Sequence, residues 1–514
     1  MIDPRPVLPK FLNHERLDAG LLAIASLTLY LWQLGQVPLR DWDEGTIAMV
    51  AREMLRSGEW LHPTLYGGPY LNKPPLVEWL MATSFAIGGV GEWTARILPA
   101  AISALSIPLM YWVGRELFQN RQTALFSALV YLSLLPVARH SRLAMRDGIA
   151  VTLFLVLLLA VLKARRDRRW ALLAGTALGG LILTKGILAL LLAGIVGIFL
   201  LVNRQWALLG SIYAWGGVAL GCLPALAWYG TQLQHYGGLF WQAHFLSQSF
   251  DRVWSTVENN QGPPWYYGLE LLKYSWPWLL LWPGGLWLAW QHRRQDWGQL
   301  IWVGTLVYLG TISVMGTKLP WYIMPLYPFV ALAIGAQLAA FWQQNRAPRW
   351  LGRVLAFLAV VLLGGGGYFG WAEQEPMLIA IAVSLAITLG WTAVRIFACD
   401  RAFAIPLIAG FYLTLLLFVS SDLWLWELNE AYAVKPVAAM VRSQTPVGAE
   451  IYTTFAYNRP SLDFYSDRRV VAIEPGQIEQ YWQPDTYFLV EQPEALPSFR
   501  NLGSSGGLAL VLPE

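Results

Sequence analysis

The chain is predicted to be a polytopic, mainly α-helical membrane protein with a small C-terminal α/β domain. Three observations predict this. Hydrophobic residues make up 56% of the 514 positions and charged residues only 13%, far from the balance of soluble domains. The apolar residues gather into runs approaching the roughly 20 residues that a bilayer core demands. Beyond residue 421 the pattern changes to short alternating segments separated by turn residues.

About thirteen apolar runs are expected to span the membrane. They lie near residues 20–35, 97–117, 123–138, 149–162, 171–184, 187–202, 208–229, 269–290, 301–315, 323–342, 355–371, 377–394 and 403–420. Short cytoplasmic loops carry an excess of Lys and Arg, so an inside N-terminus with Arg5, Lys10 and Arg16 sets the orientation. The same side then receives Arg115, Arg121, Lys163, Arg165, Arg166, Arg168, Arg169, Arg204, Arg293 and Arg294, followed by Arg346, Arg349, Arg353, Arg395 and Arg401. An odd number of spans puts the C-terminal segment outside, together with outer loop 1 (about 40–95) and outer loop 4 (about 230–268). The net charge of +4 follows from this topology and implies no nucleic-acid partner. The first apolar run lacks a small-residue cleavage site and reads as a retained anchor.

Cations on the disfavoured outer side stand out. Arg139, Arg142 and Arg146, with Asp147, fall in one short outer turn, and Lys185 and Lys318 mark two others. Snorkelling to headgroups or pairing with an acid such as Asp147 explains any single one. Converging on one face, they point to an anion-binding site.

Outer loop 1 opens on Asp43-Glu44. From Thr46 to Leu55, Ile47, Val50, Ala51, Met54 and Leu55 recur at helical spacing opposite Arg52, Glu53 and Arg56, which predicts an interfacial helix stopped at Gly58. After the turn 66–69, Lys73-Pro74-Pro75 leads into a second helix, Leu76 to Ile87. Outer loop 4 is rich in aromatics and amides, including Trp241, His244, Trp254, Trp265 and Tyr266, as a sugar-handling or lid segment would be. Most of the 28 tryptophans fit interfacial belts. Residues 422–514 form the predicted extracytoplasmic α/β domain, with strands expected in 450–457 and 470–474, after a transmembrane domain of residues 1–421. Cys222 and Cys399 suggest no disulfide, and no cluster has metal-ligand spacing. The sequence requires no cofactor, although it leaves room for a divalent metal.

The motif Asp41-Trp42-Asp43-Glu44, followed by Ala51-Arg52-Glu53-Met54, Gly58-Glu59-Trp60, Lys73-Pro74-Pro75-Leu76, Trp79 and Arg96-Ile97-Leu98-Pro99, resembles the first outer loop of GT-C glycosyltransferases. The branch it resembles contains the lipid A aminoarabinose transferases and is related to the protein O-mannosyltransferases. Leu183-Thr184-Lys185-Gly186, Gly262-Pro263-Pro264-Trp265-Tyr266-Tyr267 and Lys318-Leu319-Pro320-Trp321-Tyr322 extend the likeness in the family's order over most of the membrane part. The family's thirteen-helix plan with an outer C-terminal domain agrees with the run count.

What the resemblance implies is inverting transfer of a sugar from a polyprenyl-phosphate donor to an outer-face acceptor. Asp43 would act as general base, with Glu44 aligning it or touching the acceptor. Lys73, with Arg142, Arg146, Lys185 and Lys318 behind it, would meet the departing phosphate. Tyr322, His244, Arg252, Trp265 and Tyr266 are the remaining substrate-binding candidates. Four of them have a plainer reading: Asp43 as a helix N-cap, Lys73 as a solvated turn residue, Tyr322 as an interfacial anchor and His244 as a hydrogen-bonding filler. The chain departs from the aminoarabinose transferases at Thr46 and Ser247, where they carry arginines, and at Asn72, where they carry a glutamate; Arg252 or Arg142 is the expected substitute for the missing phosphate contacts. The partners implied are a polyprenyl-phosphate-linked sugar, membrane lipids, and either a glycolipid or a protein acceptor. A lipid-linked sugar transporter or flippase is the rival of another class, disfavoured because the spans hold essentially no internal acid or base.

Overall fold

The computed structural model describes residues 9–41, 43–256, 260–424, 432–455, 457–493 and 496–514. Arg5 and residues 257–259 of outer loop 4 lie outside them, as do residues 425–431, 456, 494 and 495 of the C-terminal region. The chain divides into two compact units, one comprising Met1–Gln33, Leu71–Leu76 and Pro99–Trp424, the other Leu34–Tyr70, Val77–Leu98 and Leu425–Glu514.

The first unit is helical. Among the described residues, eight helices are long and apolar enough to cross a membrane: Glu92–Phe118, Arg146–Ala164, Ile212–Tyr236, Asp296–Val314, Pro320–Gln343, Arg349–Ala372, Pro376–Phe397 and Arg401–Val419. Helices also occupy the other expected runs, but Trp170–Lys185 and Leu188–Val202 are shorter. The 269–290 run breaks into Tyr266–Tyr274, a turn at Trp278–Leu280, and Trp282–Gln291. Pro277 and Pro283 each lack the N–H that a continuous helix needs, so one straight span cannot form there. Several cations of the expected inner side are paired with acids: Arg121 with Asp18 at 2.6 Å, Arg165 with Asp296 at 2.6 Å and Arg166 with Glu116 at 3.3 Å.

One helix pair packs at backbone distance. Gly175 and Gly179 of Trp170–Lys185 face Gly217 and Gly221 of Ile212–Tyr236, each pair spaced four apart. A Cβ on Gly179 would stand 1.8 Å from the Gly221 carbonyl oxygen, and one on Gly221 would stand 2.3 Å from the Gly175 backbone. Small residues at that spacing let membrane helices approach closely. Gly179→Leu and Gly221→Leu are therefore expected to destabilise the detergent-solubilised protein by about 3 kcal/mol or more, read as a lowered Tm. Gly216→Leu on the same helix meets nothing within 4 Å and should leave Tm unchanged.

The second unit gathers outer loop 1 and the C-terminal residues around a five-stranded sheet. Its strand order is Arg469–Ala472, Glu450–Thr453, Tyr487–Val490, Leu508–Pro513 and Phe499–Ser505. The first two pairings are parallel and the last two antiparallel. The expected division at residue 421 thus separates pieces that fold together. Arg52 explains why. Expected on the polar face of an interfacial helix, its side chain is instead buried, donating to the Phe464 carbonyl at 2.8 Å and pairing with Asp467 at 3.2 Å. The helix Asp43–Ser57 consequently packs against Pro460–Ser466, and a Cβ on Gly45 would stand 2.9 Å from the Ser461 nitrogen. Two further ties join the same segments: Arg459 Nε meets Asp41 at 2.6 Å, and the Tyr66 hydroxyl donates to Asp463 at 2.9 Å. Burial pushes the Asp463 carboxyl up to about 7 against the hydrogen bonds it accepts from Val470 N–H, Tyr66 and Tyr457.

Candidate active site

The candidate catalytic acids lie in the second unit. Two adjacent acids open the helix Asp43–Ser57, and the structure gives them opposite environments. Glu44 is buried, and Arg96 grips it with Nε on Oε1 at 2.8 Å and Nη2 on Oε2 at 2.8 Å, while the Arg40 N–H adds 2.9 Å to Oε2. The remaining guanidinium N–H groups reach the carbonyls of Leu34, Val37 and Pro38 at 2.8–3.0 Å. All five donors of Arg96 are therefore used, and the chain from Leu34 to the helix start is held by a buried, satisfied charge pair. Asp43 is half-buried, and no donor among the described residues holds its carboxylate. The N-cap reading of Asp43 finds no support in this geometry, since the side chain caps nothing described. Glu44, in contrast, has both carboxylate oxygens hydrogen-bonded; of its two expected roles, aligning the helix start is the one that these contacts serve.

Glu53 extends the same logic. Its carboxylate accepts from the Thr64 hydroxyl at 2.6 Å and the Tyr66 N–H at 2.6 Å, fixing the hairpin Thr64–Leu65 with Gly68–Pro69. Loop 1 is thus braced by the hydrogen bonds of Glu53 as well as those of Glu44.

The expected phosphate ligands lie in the first unit, and their contacts sort them into two groups. Arg142 is buried; its guanidinium donates to the carbonyls of Leu29 and Trp32 and lies 5.2 Å from the Trp424 ring centroid. This corrects its expected role and its candidacy as substitute for a lost phosphate contact. The end of the helix Pro9–Leu31 leaves carbonyls without intrahelical donors, and a buried guanidinium is the natural cap. Lys318 meets the same correction: Nζ donates to the Ile312 carbonyl at 2.9 Å and the Ser313 carbonyl at 2.7 Å at the end of Asp296–Val314, and burial lowers its pKa. Arg146 is buried at the start of Arg146–Ala164.

Lys73 and Lys185 form the second group. Lys73 is half-buried ahead of the Pro74-Pro75 pair. Lys185 ends its helix with Nζ 2.6 Å from Asp147 and 5.6 Å from the Tyr322 ring centroid. Tyr322 in turn accepts from Arg252 Nη1 at 3.1 Å through its hydroxyl and from the Tyr308 hydroxyl at 2.7 Å through its carbonyl. Lys185, Tyr322 and Arg252 are thereby brought into one cluster, with Asp147 as the counterion that the sequence suggested only as a pairing acid. Trp265 is largely exposed and Tyr266 half-buried; Gly262 fits between Tyr266 and Lys318, where a Cβ would stand 2.9 Å from each. Among the described residues no three His, Cys, Asp or Glu side chains converge as metal ligands.

Comparison with known proteins decides the family. Residues 20–239 match the family model described as dolichyl-phosphate-mannose-protein mannosyltransferase. The undecaprenyl phosphate-alpha-4-amino-4-deoxy-L-arabinose arabinosyl transferase of Pseudomonas aeruginosa (strain LESB58) is 32% identical over 425 residues, spanning 78% of this chain and 76% of that protein. The corresponding transferase of Aeromonas hydrophila is 28% identical, spanning 72% and 70%. The chain belongs to this arabinosyl transferase family. Its fold agrees: ArnT from Cupriavidus metallidurans, solved bound to undecaprenyl phosphate, superposes with a TM-score of 0.76 at 20% identity, covering 96% of this chain and 97% of that one. The archaeal oligosaccharyltransferase AglB from Archaeoglobus fulgidus gives 0.57 at 12% identity, covering 95% and 70%. The protein is therefore a membrane glycosyltransferase of the GT-C fold.

Two members of the site escaped sequence reasoning. Arg96 appears there only as part of a motif, although a lone arginine in an otherwise apolar stretch is a signal for a buried acid partner. Tyr229, whose hydroxyl lies 2.9 Å from His244 Nε2, gives no signal at all, since it sits in an aromatic-rich span.

Proposed function

We propose that the protein is an inverting transferase that moves an aminoarabinose-type sugar from undecaprenyl phosphate to an outer-face glycolipid acceptor, with lipid A as the model acceptor. The observation that carries this reading is the division of labour between Asp43 and Glu44: one carboxylate open, its neighbour saturated by Arg96. Asp43 takes the proton of the acceptor oxygen. That oxygen attacks the anomeric carbon opposite the phosphate, the bond from that carbon to the phosphate oxygen breaks, and undecaprenyl phosphate leaves with the electron pair. No acid needs to protonate this leaving group, because a phosphate monoester departs readily as an anion. Lys73 and Lys185 neutralise the charge that develops on it, and Arg252 and Tyr322 line the same cationic side. The Lys/Arg distribution supports a cytoplasmic N-terminus and an extracytoplasmic C-terminus in a bacterial inner membrane.

The test is a purified protein offered an undecaprenyl-phosphate sugar. Release of undecaprenyl phosphate only when a glycolipid acceptor is present supports the reading. Lipid movement without bond cleavage would overturn it in favour of a flippase, and label partitioning with protein would favour the O-mannosyltransferase-like alternative that the family-model match raises. Lys185→Ala is expected to weaken undecaprenyl-phosphate binding about tenfold, the loss of one charge-assisted contact. Direct binding measurements on the variant check this.

A further inference from the structure

His244 is buried in outer loop 4, and both ring nitrogens are engaged: Nδ1 lies 3.0 Å from the Leu71 carbonyl oxygen and Nε2 lies 2.9 Å from the Tyr229 hydroxyl. A carbonyl can only accept, so Nδ1 carries the hydrogen. In the neutral ring Nε2 is then the acceptor, and Tyr229 donates to it. Burial pulls the imidazole pKa down to about 4, the Lys73 charge adding to the effect, so the ring is neutral across the physiological range.

What this pair holds is more telling than the pair itself. Leu71 stands two residues before Lys73, and the prolines that follow stiffen the chain beyond it. On the other side, Gly186 directly follows Lys185 with φ +51, a backbone conformation that favours glycine. A Cβ there would stand 3.2 Å from the Tyr229 hydroxyl, 3.7 Å from His244 Nε2 and 3.9 Å from Pro74 Cγ. The segments bearing the two lysines therefore meet the same two side chains, one through a hydrogen bond and one through close packing.

We infer that His244 and Tyr229 are positioning residues that set Lys73 and Lys185 in register for one phosphate, with His244 acting as a neutral clamp on the Leu71 carbonyl and not as a base or ligand. This rests on the proposed function for the identity of the phosphate. Without that N–H the buried Leu71 carbonyl loses its donor and the lysine-bearing turn its tether, so His244→Ala should weaken undecaprenyl-phosphate binding by about ten- to a hundredfold. His244→Asn restores an N–H where Nδ1 stood and should stay within about fivefold of wild type, whereas Tyr229→Phe removes the donor to Nε2 and should weaken binding by about five- to tenfold.

The closing experiment pairs undecaprenyl-phosphate binding with hydrogen exchange of the peptide covering residues 70–76, measured on the full-length protein in detergent. Weakened binding and lost protection in His244→Ala, both recovered in His244→Asn, support the inference. Unchanged protection or unchanged affinity in His244→Ala overturns it, as does a wild-type kcat/KM limb near pH 6.5 that vanishes in His244→Asn. If wild-type protein fails to bind undecaprenyl phosphate, the proposed function falls, and the exchange data alone then decide whether the clamp exists.

Discussion

Asp43→Asn is expected to lower kcat by about 10²–10⁴-fold, the range that a positioned general base contributes, while leaving undecaprenyl-phosphate affinity within about twofold of wild type. The substitution keeps size and shape and removes only the proton acceptor. Since no donor among the described residues is bound to that carboxylate, the fold has little to lose. Single-turnover transfer with saturating donor measures the chemical step, and titration of undecaprenyl phosphate measures binding. Near-normal turnover in the variant would remove Asp43 from the chemistry and leave the acceptor to be activated by another group.

Arg96→Leu should be the most damaging single change to the outer unit. It strands a buried Glu44 carboxylate and releases three backbone carbonyls between Leu34 and Pro38. Breaking a buried ion pair by removing one partner costs about 3–5 kcal/mol, and each orphaned carbonyl adds to it. Thermal unfolding in detergent is the readout, with a large fall in Tm expected. Glu44→Gln keeps the shape and an acceptor oxygen, so it should be much milder in stability. Its effect on transfer is expected in kcat, because Glu44 ties down the start of the helix that carries Asp43. A double-mutant cycle between residues 44 and 96 should return a coupling of about 1–3 kcal/mol.

Local features were readable before any coordinates. Apolar run length reports membrane crossing because the bilayer imposes it residue by residue, and the expected runs do carry helix. The Asp43 and Lys73 motifs were legible because each sits in a short contiguous signature. The helix after Asp43 was also correctly expected, but its polar face was assigned to headgroups; Arg52 instead meets Phe464 and Asp467, more than 400 positions away in the chain. Periodicity reports that a helix has two faces and is silent on what covers the charged one. Prolines at 277 and 283 are equally visible in the sequence, and they interrupt the 269–290 run despite its hydropathy.

The sequence by itself determined the membrane class and the approximate helices, since each depends on composition or on neighbours along the chain. Only the tertiary structure decided what holds each outer cation. Arg142 and Lys318 look equivalent to Lys185 in the sequence, yet the ends of two helices capture them through carbonyls that lack intrahelical donors, whereas Lys185 is held by the Asp147 side chain. Which fate befalls a buried cation depends on where helix ends come to rest, and that is set by packing between segments far apart in the chain.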